Sequence, residues 1–218
     1  MPVKLVMFDL DGTLVNTILD ITNALNFALE TTGLKTITVE EARLLVGEGI
    51  TRLIEKIIGD NRSTERDEII KKFLSYYREH LVESSYVYPN VRETLDVLKN
   101  YRKAVISNKR EELSRLLLEK LGILGYFDIV VGGDTAPERK PSPVPVRYVL
   151  EHLGVRREDA IMVGDSNFDI EAGRKSGVYT VAVTYGFRDR QYLTEADEIL
   201  DDIGQLPALL DRSSFKLI

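Results

Sequence analysis

Two aspartates, spaced two residues apart, follow an apolar run at the start of the chain. Asp9 comes directly after residues 3–8, Asp11 lies two positions further on, and Gly12 and Thr13 come next. Negative charges at the end of a buried strand destabilise the fold unless a cation or a proton neutralises them. The pair therefore predicts a neutralising partner. Because the net charge of the chain is −6, a cation that binds an anionic ligand has to be a local one.

Polar residues also follow several later apolar runs. In an open parallel sheet, ligands bind beyond the carboxyl ends of the strands, so such residues would converge on one edge. The residues at these positions are Ser107, Asn108, Lys140, Asp165 and Asp169. Acids, a hydroxyl group, an amide and a lysine at one edge of a sheet are the set of groups that phosphoryl transfer requires.

Short apolar runs alternate with helical patterns in the second half of the chain. Helical stripes such as that of residues 111–121 separate the runs, and Asn90, with Glu93 three residues later, is expected to cap a helix. Alternating strands and helices indicate right-handed βαβ units and a parallel sheet covered on both faces. The predicted strands cover residues 3–9, 103–107, 127–133, 160–165 and 179–183.

A long helical segment separates the first predicted strand from the second. It far exceeds the dozen or so residues that a crossover helix needs. Apolar stripes end at Gly33 and Gly59, a capping box begins at Thr38, and another helical pattern covers residues 64–81. We therefore predict a small helical bundle, residues 16–84, inserted after the first strand.

Four segments resemble the motifs of the haloacid dehalogenase superfamily, in its Mg²⁺-dependent phosphatase branch. They are FDLDGTL (8–14), ISN (106–108), the lysine of KPSP (140–143) and VGDSNFDIEAG (163–173). The resemblance implies an α/β fold, with a Rossmann-like parallel sheet core and an inserted helical cap domain of the C1 type. It places the core domain at residues 1–15 and 85–218 and the cap domain at residues 16–84.

The same resemblance implies a mechanism for the residues in these motifs. Asp9 would attack phosphorus and form an aspartyl-phosphate, and Asp11 would protonate the leaving group and then activate water. Lys140 would bridge Asp9 and a phosphate oxygen, stabilising charge on the transferring group. The remaining phosphate oxygens would be bound by Ser107, Asn108 and Gly12.

The resemblance also implies one Mg²⁺ ion, a hard cation that prefers oxygen ligands. The ion would lie among the carboxylate of Asp9, the Asp11 carbonyl oxygen and Asp165, which makes both aspartates of the first motif metal ligands. Asp169 would orient these ligands without touching the ion. Such an ion would also neutralise the acidic cluster.

The segment VGEGITRLIEKI (46–57) resembles the corresponding stretch of phosphoglycolate phosphatases. This implies a small-molecule phosphate ester as substrate, with 2-phosphoglycolate the best candidate. Its carboxylate would be bound by the cap, for which Arg52 and the backbone around Gly47 and Gly49 are the candidates. A pyrophosphatase or a broad sugar-phosphate phosphatase stays open. A mutase is less favoured because Ile21 stands where β-phosphoglucomutase has a histidine, and a non-catalytic phosphate-binding protein is also less favoured.

Composition excludes several other classes of function. The chain has no cysteine, which rules out disulfides and thiolate catalysis, and no clustered Lys/Arg stripe, which argues against nucleic acid and anionic membranes as partners. No apolar run approaches the roughly 20 residues that span a bilayer, and the strand pattern that begins at Val3 leaves no room for a signal peptide. We expect a cytoplasmic monomer or homodimer.

Overall fold

Short buried strands and longer amphipathic helices alternate along the chain, in a computed structural model that describes residues 3–59 and 63–211. The strands are β1 (Leu5–Phe8), β2 (Val15–Asn16), β3 (Tyr86–Val87), β4 (Arg102–Ile106), β5 (Ile129–Val131), β6 (Ala160–Gly164), β7 (Tyr179–Val183) and β8 (Glu198–Leu200). The helices are α1 (Ile18–Glu30), α2 (Val39–Leu45), α3 (Ile50–Ile58), α4 (Ser63–Glu79), α5 (Val91–Val97), α6 (Glu111–Lys120), α7 (Val144–Leu153), α8 (Asn167–Ser176) and α9 (Leu206–Leu210).

Six of the strands form one parallel sheet in the order β5-β4-β1-β6-β7-β8, with β1 near its centre. Successive side chains of a strand point to opposite faces. Val6 and Phe8 accordingly join the core on one face, whereas Leu5 and Met7 join the core that α7 and α8 cover. Burial on both faces explains why β1 is an uninterrupted apolar run, and each large side chain contributes roughly 1.5–3 kcal/mol to stability.

The structure confirms the predicted fold class, because each of the five predicted strands is present in the parallel sheet. The sequence analysis missed β8 at the edge of the sheet, since three residues that include a glutamate are too short to display a pattern. It also missed the pair β2 and β3, which have two residues each. Elements of this length form only because tertiary neighbours align them.

Four helices, α1–α4, lie between β2 and β3 and are called the inserted helices below. β2 and β3 pair antiparallel, so the chain leaves and returns along adjacent, hydrogen-bonded strands. The buried carboxylate of Asp20 in α1 accepts hydrogen bonds from the backbone N–H groups of Ser84 and Ser85 and from the Ser85 hydroxyl, at 2.7–3.0 Å. This carboxylate fixes the returning segment against the first inserted helix.

Helical periodicity explains how the inserted helices pack. α1 buries Ile21 and Leu25 and α4 buries Ile69 and Phe73, pairs spaced four residues apart, and the two helices pack against each other. Within the described residues, no helix is both long and apolar enough to cross a membrane. The division into a core domain (1–15 and 85–218) and a cap domain (16–84) stays a prediction, and residues 1–2, 60–62 and 212–218 lie outside the described part.

The predicted capping role of the Asn90 side chain is wrong. Asn90 does precede α5, but its φ of 63° is left-handed and its side chain makes no capping hydrogen bond. Its Nδ2 instead donates to Oδ2 of Asp202 at 2.6 Å. A carboxylate from a distant part of the chain therefore binds the amide in place of the helix end, a contact that sequence spacing cannot reveal.

Candidate active site

Three strand ends bring predicted site residues to one edge of the sheet. β1 pairs in register with its neighbours, and Phe8 lies opposite Val163 of β6. Asp9 follows β1 directly, and its backbone N–H donates to the Val163 carbonyl oxygen at 2.9 Å. Ser107 and Asp165 directly follow β4 and β6. The polar side chains therefore converge at the place where the strand order reverses, which is the usual ligand site of an open parallel sheet.

Lys140 lies buried between two of these acids. Its Nζ is 2.7 Å from Oδ1 of Asp9 and donates to Oδ1 of Asp169 and to the Ile106 carbonyl oxygen, both at 2.6 Å. These three partners match the three donors of an ammonium group. Burial alone would lower the pKa of Lys140, but the Asp169 and Asp9 carboxylates raise it above its usual range. A permanent positive charge is therefore fixed beside Asp9.

Three carboxylates form a buried cluster around this ammonium. Asp9, Asp165 and Asp169 each offer an oxygen, and these oxygens lie within 4.8 Å of one another. Burial first, and then repulsion from Asp169, raises the pKa of both Asp9 and Asp165. One lysine does not balance three carboxylates, so a divalent cation would relieve the excess negative charge. The all-oxygen donor set fits Mg²⁺ rather than a softer metal.

Both carboxylate oxygens of Asp169 are already engaged. Oδ1 accepts from Lys140, and Oδ2 accepts from the backbone N–H of Ser166 at 3.1 Å and from its hydroxyl at 2.6 Å. Asp169 therefore holds Lys140 and the start of α8. The outer role that the resemblance implies fits this geometry.

Asp165 is wedged between two glycines. A Cβ built on Gly12 would lie 2.3 Å from Oδ2 of Asp165, and one built on Gly186 would lie 2.3 Å from its Cβ. The carboxylate accepts hydrogen bonds from the Thr13 hydroxyl at 3.0 Å and from the Phe187 backbone N–H at 2.7 Å. The glycines are therefore needed to leave space for this acid.

The predicted phosphate-binding residues are placed differently from one another. Ser107 and Asn108 line the pocket described below. The Asn108 side chain is already engaged, because its Nδ2 donates to the Gly47 and Lys140 carbonyl oxygens at 2.7 and 2.8 Å. The Gly12 N–H donates to the Val15 carbonyl oxygen at 2.9 Å, so the structure does not aim it at a phosphate. Gly12 instead closes a local turn and makes room for Asp165.

The loop between α2 and α3 rests on the sheet edge through two polar side chains. Nη1 and Nη2 of Arg188 donate to the carbonyl oxygens of Arg43 and Val46, both at 2.6 Å. Asn108 holds the Gly47 carbonyl oxygen next to them. These bonds hold the loop between α2 and α3 at the same edge of the sheet as the site residues.

Asp11 is held by Lys109, a residue whose role the sequence analysis missed. Nζ of Lys109 donates to Oδ1 of Asp11 and to the Tyr77 hydroxyl at 2.9 Å, and the Thr17 hydroxyl donates to the same carboxylate oxygen at 2.7 Å. Burial alone would lower the pKa of Lys109, but Asp11 raises it above its usual value. The available signal was a basic residue directly after the ISN motif, but sequence does not reveal where that side chain points.

A pocket that is partly open to solvent lies between the sheet edge and the inserted helices. Asp9, Asp11 and Ser107, which follow β1 and β4, line the pocket at the sheet edge, and this part is called its inner end below. The residues that the inserted helices and their loops contribute are Ile21, Val46, Gly47, Gly49, Ile50, Leu53, Phe73, Leu74 and Tyr77. The pocket is therefore charged at one end and mostly apolar along the opposite wall, a common arrangement for small-molecule sites.

Arg52, the predicted carboxylate-binding residue, does not line this pocket. Its side chain is 59% exposed and donates to Oε2 of Glu55 at 2.9 Å on the same helix. The geometry of a helix favours such pairs three residues apart. The basic residues that line the pocket are Lys109, Arg110 and Arg139.

Comparison with known proteins identifies the family of the chain. The sequence profile of haloacid dehalogenase-like hydrolases matches residues 6–183, which is most of the chain. The chain belongs to this family. The match includes Asp9, Asp11, Lys140 and the two aspartates after β6.

Named relatives are similar over nearly the whole chain. The phosphoglycolate phosphatase of Chromobacterium violaceum is 40% identical over 215 residues, which covers 95% of this chain and 96% of that protein. The phosphoglycolate phosphatase of Aquifex aeolicus is 41% identical over 186 residues, 84% and 86% of the two chains. A crystal structure described as a predicted phosphoglycolate phosphatase from Haemophilus somnus superposes with a TM-score of 0.90 at 32% identity, covering 95% and 97% of the two chains. This family member is accordingly an enzyme, a phosphoric monoester hydrolase.

Proposed function

We propose that the enzyme hydrolyses a small phosphomonoester, with 2-phosphoglycolate as the best substrate, through an aspartyl-phosphate on Asp9 and with Mg²⁺ as cofactor. The observation that carries this proposal is the 2.7 Å contact between Lys140 Nζ and Asp9 Oδ1 at the inner end of the pocket. The contact fixes one oxygen of a carboxylate beside a permanent cation, so the other oxygen is free to act as a nucleophile.

The reaction divides into two displacements. In the first, an oxygen of Asp9 forms a bond to phosphorus, while the bond to the leaving oxygen breaks and its electrons stay on that oxygen. Asp11, which lines the same pocket, protonates the leaving oxygen. In the second displacement Asp11 removes a proton from water, and the water oxygen replaces Asp9 on phosphorus.

Other residues of the site stabilise charge during these steps. Lys140 fixes a positive charge next to Asp9, where negative charge spreads over the transferring group, and Ser107 lines the same pocket as Asp9. Asp9, Asp165 and the Asp11 carbonyl oxygen would hold Mg²⁺, which supplies neutralising charge at the phosphate when it is bound. Asp169 keeps Lys140 in position.

The substrate assignment rests on the pocket and on the named relatives. Relatives up to 41% identical carry the name phosphoglycolate phosphatase. Lys109 and Arg139 line the pocket, so an anionic leaving group meets positive charge there even though the chain as a whole is acidic. Ile21 lines the pocket at the position where the mutase mechanism uses a histidine, which disfavours transfer to a second sugar oxygen.

The inserted helices and their loops supply one wall of the pocket. We infer that they act as a cap domain, residues 16–84, over a core domain of residues 1–15 and 85–218. The apolar wall opposite the acids is the expected surface for such a lid. A cytoplasmic location and a monomeric or homodimeric state belong to the same proposal, and gel filtration with light scattering tests the second of these.

Turnover of a panel of phosphate esters, with and without EDTA, tests the proposed function. We expect 2-phosphoglycolate to be the best substrate over sugar phosphates and pyrophosphate, and EDTA to abolish turnover. Asp9→Asn should lose at least about 1,000-fold in kcat, whereas Glu119→Gln, the same change at an exposed acid, should not. Metal-independent turnover, or full activity of Asp9→Asn, would contradict the mechanism, and preference for pyrophosphate or a sugar phosphate would contradict only the substrate.

A further inference from the structure

A buried lysine that takes no part in the two displacements lines the pocket beside Asp11. The side chain of Lys109 is only 8% exposed, yet it lines the pocket together with Asp11. Its Nζ also lies 5.1 Å from the centre of the Tyr77 ring. A lysine this deeply buried usually has a specific role, because removing an ammonium group from water destabilises the fold.

The partners of Lys109 leave one donor unused. An ammonium group has three N–H donors. Within the described residues, Nζ of Lys109 bonds only to the Asp11 carboxylate and the Tyr77 hydroxyl. The third N–H is therefore available on a side chain that already borders the pocket.

The contact with Asp11 fixes where this donor lies relative to a substrate. In the proposed reaction the Asp11 carboxyl group touches the leaving oxygen, so Nζ of Lys109 lies roughly 3–6 Å from that oxygen. A carboxylate attached through one carbon has its oxygens about 3 Å from the ester oxygen, given bond lengths near 1.5 Å. Such a group is within hydrogen-bonding range of the lysine.

The surroundings of Lys109 strengthen this attraction. Phe73 and Leu113 line the same pocket, and apolar neighbours reduce the screening of a charge pair. Arg139 also lines the pocket, but its Nε donates to the Gly133 carbonyl oxygen at 2.7 Å and its Nη1 lies next to Gly49. No contact with Asp11 ties Arg139 to the position of the leaving oxygen.

We propose that Lys109 is the residue that selects the leaving group, and that it favours phosphate esters with a carboxylate one carbon from the ester oxygen. This inference rests on the proposed function, and it names the residue and the substrate class of that site. The third N–H of Lys109 donates to the substrate carboxylate, while the Tyr77 hydroxyl holds the ammonium group in place. Neutral and cationic leaving groups of the same size are disfavoured.

A pair of small substrates tests the proposal. 2-Phosphoglycolate and 2-hydroxyethyl phosphate both need protonation by Asp11, so any effect of Lys109 through Asp11 cancels in the ratio of their kcat/KM values. We expect wild-type protein to prefer 2-phosphoglycolate and Lys109→Met to lose roughly 10- to 100-fold of that preference. Lys120→Met, the same change at an exposed lysine of α6, should keep the wild-type ratio.

Two further variants test the proposal independently, in case Lys109→Met does not fold. Lys109→Arg keeps the charge and should retain part of the preference, and Tyr77→Phe removes only the hydroxyl group and should reduce it. An unchanged ratio in Lys109→Met, or loss of the ratio in Arg139→Met alone, overturns the assignment while leaving the phosphatase intact. If wild-type protein hydrolyses neither ester, the proposed function is wrong and the inference fails with it.

Discussion

The side-chain nitrogen of Lys140 lies 2.7 Å from Oδ1 of Asp9, although the two residues come from distant parts of the sequence. Both residues are buried, and the side chains of Lys140 and Asp9 are 2% and 13% exposed. The same nitrogen also holds Asp169, so one cation organises two of the three acids in the cluster. The contact should therefore affect both the free energy of unfolding and the proposed reaction at Asp9.

Replacement of Lys140 by methionine tests that link. The change leaves Asp9 and Asp169 buried without their cation, and we expect it to cost about 3–5 kcal/mol in the free energy of unfolding in the absence of metal. We also expect kcat to fall about 100- to 1,000-fold, because the charge beside the transferring phosphate is lost. Urea denaturation and steady-state kinetics measure the two effects. Lys99→Met, at an exposed position, is the control, and wild-type stability in Lys140→Met would contradict the burial argument.

Stability should depend on Mg²⁺ and on pH together. In the folded, metal-free protein, burial and repulsion from Asp169 raise the pKa of Asp9 and Asp165. A carboxyl group with a raised folded pKa stabilises the fold below its unfolded pKa, and this contribution is lost as pH rises through the folded pKa. Mg²⁺ replaces the missing protons, so the rise in Tm on adding Mg²⁺ should be larger at about pH 8 than at about pH 5.

Thermal melts with Mg²⁺ or EDTA at a series of pH values check this prediction. Asp165→Asn removes one charge from the cluster and should shrink both the pH effect and the Mg²⁺ effect on Tm. An Mg²⁺ effect on Tm that is the same at both pH values, or larger at the acidic one, would contradict the prediction.

Arg188 should control how well the inserted helices cover the pocket. Its guanidinium donates to the Arg43 and Val46 carbonyl oxygens, which lie in the last turn of α2 and directly after it. We expect Arg188→Gln to raise KM for the best substrate about tenfold with little change in Tm, because it loosens the loop rather than the core. Arg190→Gln removes an exposed ion pair with Asp201 and should leave KM unchanged. A wild-type KM in Arg188→Gln would contradict the role of this contact.

Gly186 should be essential because any side chain at this position would collide with Asp165. An added Cβ would lie 2.3 Å from Cβ of Asp165, closer than real Cβ contacts allow, so Gly186→Ala must displace the acid. We expect Mg²⁺ affinity, measured by calorimetry, to fall about tenfold or more and activity to fall with it. Gly125→Ala is a matched control, because a Cβ there meets nothing within 4 Å. Unchanged Mg²⁺ affinity in Gly186→Ala would show that Asp165 tolerates displacement.

The parallel sheet and the convergence of Asp9, Ser107 and Asp165 could be predicted from the sequence. Each residue follows a buried apolar run, and parallel strands bring their carboxyl ends to the same edge. The inserted helices were predictable for a similar reason, since the distance along the chain between β1 and β4 exceeds what one crossover helix occupies. These inferences depend on periodicity and chain direction, which are local properties.

The partner of a charged side chain was not predictable in the same way. Arg52 and Lys109 are both basic residues in segments that resemble the family, yet Arg52 points to Glu55 on the outside of α3 whereas Lys109 points inward to Asp11. The Asn90 amide likewise binds Asp202 rather than the start of α5. Long side chains can reach several partners, and the choice among them depends on which elements pack nearby.

The sequence by itself determined the five longer strands of the parallel sheet, the helices inserted after the first of them, the motifs at the strand ends and the acidic character of the site. Backbone preferences and the burial of apolar side chains act over a few residues, so the sequence expresses them directly. Only the tertiary structure decided that Lys109 holds Asp11, that Gly12 makes space for Asp165 and that Arg188 fixes the loop over the pocket. These contacts join residues far apart in the chain, and their geometry exists only after the sheet and the inserted helices have packed together.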